Sequence, residues 1–64
     1  MPTWKAGGYV IRAYEGHHPP LHVHVFRDGR LVARDDLENG RFMDGSDPRH
    51  HGRVERALRE VGLI

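Results

Sequence analysis

The chain has 64 residues, with ten Lys and Arg against nine Asp and Glu, six His and no Cys. That length holds one domain, the missing thiols exclude disulfide staples and thiolate metal sites, and a net charge of +1 gives no global signal for nucleic-acid binding. No apolar run is long enough to span a bilayer and the opening Met1-Pro2-Thr3-Trp4-Lys5 lacks the apolar core of a secretory signal, so a soluble cytoplasmic protein with no membrane partner is expected.

A domain of this size buries only about 60% of the surface of its unfolded chain, so its core is thin. Without staples, such domains often gain stability by pairing, which makes a homo-oligomer or a small protein partner a reasonable expectation. Ala6-Gly7-Gly8 breaks the chain before a first predicted strand, Tyr9-Val10-Ile11-Arg12-Ala13-Tyr14, rich in aromatic and β-branched residues. Residues 15–21 form a connection whose Pro19 and Pro20 fix φ and keep the backbone before them extended.

A second strand is predicted over 22–27, with Val23 and Val25 on one face and His22, His24 and Phe26 on the other. Asp28-Gly29 signals a type I′ hairpin turn, and residues 30–35 return antiparallel. A second turn centres on Asn39-Gly40, residues 41–43 can add a short fourth strand, and 43–46 is a loop. Asp47 then caps a helix with Pro48 at its first position, where a missing N–H costs nothing.

At 100° per residue Val54, Ala57, Leu58 and Val61 form one helical stripe, while Arg49, Arg53 and Arg56 lie well away from it. Gly62 ends the helix, Leu63-Ile64 can fold back on it, and Gly52 weakens its first turns by about 1 kcal/mol relative to Ala. The expected fold is α+β: a three- or four-stranded antiparallel meander with one C-terminal helix packed on one face. Val23 and Val25 make the better floor for that helix, which leaves His22 and His24 uncovered on the other side.

The opening Met1-Pro2-Thr3, the segment His18-Pro19-Pro20-Leu21-His22-Val23-His24-Val25 and the Asp28-Gly29 turn leading to Asp36-Leu37-Glu38 resemble a small prokaryotic family catalogued as domain of unknown function 4160. With a C-terminal helix of matching placement, the likeness covers almost the whole chain. Members of that family look like partners in toxin–antitoxin-type gene pairs. The resemblance therefore implies a small intracellular protein that binds a cognate partner. The helix start, His50-His51-Gly52, departs from the family pattern in being more polar.

Four of the histidines, His17, His18, His22 and His24, fall within eight positions. As metal ligands, His22 and His24 offer two imidazole nitrogens from one strand face, a set that zinc or another transition metal accepts. A third ligand would come from His18 or His17, Glu15, Asp35 or Asp36. The same pair suits acid–base cleavage of RNA, since imidazoles titrate near neutrality and Arg27, Arg30 or Arg34 can hold a phosphate. The plainer reading is a hydrogen-bonded pair on a solvent-facing sheet.

His50 falls on the apolar side of the helix, and joins the pair only if the helix crosses their face. Arg53 and Arg56, with Arg49, can lie along a phosphate backbone, although a solvated face partly neutralised by Glu55 and Glu60 explains them as well. Trp4, Tyr9, Tyr14 and Phe42 read as core or interface, and Phe26 as an apolar spot that a partner would cover. The leading expectation is a toxin–antitoxin-type interaction module that binds a protein or itself and can act on RNA. Its surface is His18, His22, His24, Phe26 and Arg27. A transition-metal protein using His22, His24 and His18, and a pH-sensitive binding surface, are the alternatives.

Overall fold

Five strands, β1 (Thr3–Ala6), β2 (Tyr9–Ala13), β3 (His22–Arg27), β4 (Arg30–Asp36) and β5 (Arg41–Phe42), run as one antiparallel meander in chain order in the computed structural model, which describes residues 2–13 and 22–64. A 3₁₀ turn (Pro48–His50) leads into helix α1 (His51–Glu60). The α+β architecture matches expectation, and the strand count exceeds it by one, the N-terminal strand β1. Gly7 and Gly8 both have positive φ, at 58° and 83°, and turn β1 back onto β2 rather than merely interrupting the chain.

β2 ends at Ala13; Tyr14 and the diproline connection lie outside the described residues. The β3–β4 turn has the expected geometry, since Asp28 and Gly29 adopt φ of 52° and 78°. Beyond it the ladder slips: Val25 pairs with Ala33, but Phe26 pairs with Leu31, which leaves Val32 as the extra residue of a β-bulge. The bulge turns Leu31 to the face of Phe26, where it is 48% exposed, and lets Val32 pack partly against the core.

The core is one layer between sheet and helix. Tyr9, Ile11, Ala13, Val23, Val25 and Ala33 are buried from the sheet, and Val54, Ala57 and Leu58 from α1. The helix therefore covers the valine face of β3, as the sequence suggests. Asp47 caps the start through its carboxylate, which accepts the Arg49 N–H at 2.9 Å, and the first turn is 3₁₀ rather than α.

At the other end, Gly62 takes φ of 83°, its N–H donates to the Arg59 carbonyl at 3.1 Å, and Leu63 N–H donates to the Leu58 carbonyl at 2.9 Å. This pair of bonds is a Schellman closure, which returns Leu63 to the core while Ile64 stays 48% exposed. No helix among the described residues is long and apolar enough to cross a membrane.

Candidate binding face

Cross-strand partners share a face, so the register builds the uncovered surface row by row. Arg12 and Arg34 flank His24, one from each neighbouring strand, and Asp36 sits opposite His22. Val10 and Leu31 flank Phe26, Lys5 lies beyond Val10, and Arg41 lies beyond Asp36. Basic groups thus share this face with a half-buried phenyl ring flanked by apolar side chains, with Asp36 as the acidic member of these rows.

The His22 and His24 rings project together as expected, with centroids 6.0 Å apart and planes inclined by 56°. His24 is the more enclosed of the two. Burial, then the His22 ring and the Arg34 guanidinium, push its pKa below 6.5 and favour the neutral ring. The Arg12 guanidinium lies 5.7 Å from the centroid of Phe26, within range of a cation–π contact. Val10, Arg12, Phe26 and Gly29 line a shallow depression of about 250 Å³.

Arg34 is held by the loop after β5. Its backbone N–H donates to Ser46 Oγ at 2.9 Å, that hydroxyl donates back to its carbonyl at 3.0 Å, and its guanidinium donates to the Asp44 carbonyl. Asp36 serves the β4–β5 turn, because its two oxygens accept the Asn39 N–H at 3.1 Å and Nδ2–H at 2.8 Å. Those bonds hold its carboxyl below the ordinary value, the side-chain bond contributing most.

Several residues grouped with the pair from sequence lie elsewhere. Asp35 is buried on the helix side of the sheet, opposite Val23, and does not share a face with His22 and His24. Arg27 places its guanidinium 5.3 Å from the Tyr9 ring centroid on that same side, with Arg30 as its strand partner. His50 docks on the core through a 2.8 Å hydrogen bond between its Nδ1 and the Tyr9 hydroxyl. Arg53 and Arg56 are exposed on the helix, which covers the opposite sheet face, so their surface is separate from that of the pair.

Glu15, His17 and His18 lie outside the described residues. Among the described residues no group of three or more His, Asp or Glu is arranged to hold a metal ion, so His22 and His24 offer two ligands there. Sequence reasoning passed over Lys5, Val10 and Arg12 as members of this face. The Gly7-Gly8 pair is the signal that reveals them, because a tight turn there doubles the chain and aligns Lys5 with Val10. No family model, curated protein or solved structure matches the chain.

Proposed function

We propose that the chain is a small cytoplasmic interaction module of toxin–antitoxin type that grips an anionic partner through the uncovered sheet face. The observation that carries this reading is that Lys5, Arg12, Arg34 and Arg41 share with Phe26 and the His22–His24 pair the one sheet face that α1 leaves open. An open antiparallel sheet face that combines an aromatic ring with basic side chains suits single-stranded RNA, whose bases stack on aromatic rings while phosphates meet the basic groups. The resemblance to the domain of unknown function 4160 family supports the toxin–antitoxin setting.

Fluorescence anisotropy with short single-stranded RNAs tests it. Affinity should fall steeply with added salt, and Arg12→Ala and Phe26→Ala should each weaken binding several-fold. Acidification below the ordinary imidazole range should tighten binding as His24, whose pKa is lowered, protonates, because a charged ring meets phosphate better. Salt-independent binding, or variants equal to wild type, would remove RNA and leave an acidic protein surface as the partner. Mass photometry of the chain co-expressed with the product of an adjoining reading frame addresses that protein partner.

The 6.0 Å approach of the two imidazoles favours RNA cleavage as a second reading, with one ring taking the 2′-hydroxyl proton and the other protonating the leaving oxygen. RNA degradation that survives the double change His22→Ala and His24→Ala would end that reading. Zinc or another transition metal at the pair requires a further ligand from His18. Elemental analysis of protein purified without a histidine tag tests this, with near-stoichiometric metal expected if the site is real.

A further inference from the structure

On the helix side, the sheet, α1 and the chain end enclose a pocket of about 190 Å³ lined by Asp35, Leu37, Gly40, Phe42, Glu55 and Ile64. Asp35 is unusual among these. Only 5% of its surface is exposed, and no hydrogen bond or ion pair reaches its carboxylate among the described residues. A carboxylate removed from water without partners is expensive, and it offers about four acceptor sites. Glu55 adds a second carboxylate at the exposed rim. Leu37, Phe42 and Ile64 make the remaining wall apolar. Next to it, Phe42 stacks on His51 with centroids 3.7 Å apart, and the buried His51 Nε2 has no hydrogen-bond partner.

We propose that this pocket is a binding site for an alkyl cation, in which Asp35 and Glu55 accept N–H bonds from an ammonium or guanidinium head while Leu37, Phe42 and Ile64 pack its methylene stem. The chemistry is that of a lysine or arginine side chain presented by a partner protein, or of a free short diamine. Long cationic side chains bury apolar stems while their heads seek charge, and an aromatic wall adds cation–π attraction. An anion is excluded by the two carboxylates. A metal ion is disfavoured because no set of three ligating side chains converges there among the described residues. Burial, then Glu55 and Asp36, raise the Asp35 pKa, while the nearby His51 ring opposes them. The site lies across the sheet from His22 and His24 and does not rest on the reading of that face.

Heteronuclear NMR of the labelled full chain tests the proposal, using N-acetyl-lysine methylamide, N-acetyl-arginine methylamide and putrescine as probes at constant ionic strength. N-acetyl-norleucine methylamide is the neutral control. Saturable shifts should localise to the amides of Leu37, Gly40, Phe42 and Ile64 and to the Asp35 carboxyl carbon. Binding should weaken at least tenfold in Asp35→Asn and several-fold in Glu55→Gln, a change at an exposed helical position that keeps the test valid if the first variant fails to fold. Tighter binding of the capped amino acids would identify a partner's side chain as the occupant, and tighter binding of putrescine a free amine. Shifts that never saturate, an equal response to the norleucine control, or wild-type affinity in the variants would overturn the proposal.

Discussion

The Tyr9 hydroxyl reaches from the core to His50 Nδ1 at 2.8 Å, and the two rings meet edge to face with centroids 5.8 Å apart. That contact ties the start of the helix to β2, while the Asp47 N–H, donating to the Val32 carbonyl at 2.9 Å, ties it to β4. Tyr9→Phe keeps the ring and removes the hydroxyl, so it should cost about 1 kcal/mol in urea unfolding. Asp35 acts in the opposite direction. Its folded pKa is raised above 3.8, so the folded state holds the proton more tightly than the unfolded chain. Its favourable contribution is complete below about pH 4 and is lost as pH rises through the folded value. Asp35→Asn should therefore raise the urea midpoint at pH 7, and the gain over wild type should shrink on titration to pH 4.

Helix α1 owes its place to three buried residues, Val54, Ala57 and Leu58, to the Schellman closure at its end and to Asp47, which caps the 3₁₀ turn ahead of it. Leu58→Ala should cost about 2–5 kcal/mol, which approaches the whole stability of a domain this small. Urea unfolding should show a midpoint near zero denaturant. At the N-terminal end the Asp47 carboxyl is lowered to about 2, chiefly by its bond from the Arg49 side chain. Its contribution is present above 3.8 and lost as pH falls towards about 2, so the acid limb of a circular-dichroism titration should flatten in Asp47→Ala. These caps were readable from Asp47-Pro48 and Gly62 because capping is chemistry local to a few residues. The β3–β4 hairpin was readable for the same reason, through Asp28-Gly29 and the alternation of valine and histidine. β1 was not, because Thr3-Trp4-Lys5-Ala6 is too short to show a period and gains its identity only by pairing with β2. The burial of Asp35 was equally hidden, since strand parity groups it with Ala33 but cannot show that α1 closes over both.

At the scale of the molecule, one sheet separates two candidate binding sites of different chemistry. The open side carries Lys5, Arg12, Arg34 and Arg41 with the imidazole pair, while the helix side holds the acidic pocket at Asp35 and Glu55. A ligand for either surface that binds only the folded chain should raise the thermal midpoint, by about 2.7 kcal/mol of added stability at a hundredfold excess over its Kd. In differential scanning fluorimetry, Arg12→Ala should reduce the increment from RNA and Glu55→Gln that from the capped amino acids, each without touching the other. The irregular ladder at Val32 gives β4 one residue of slack. Loss of a single residue anywhere between positions 32 and 34 can be absorbed by squeezing out that extra residue, with Leu31 still opposite Phe26 and Asp35 still facing the helix. A strand that forgives a deletion at its centre lets mutation reshape the outer surface around His24 while the interior stays in register.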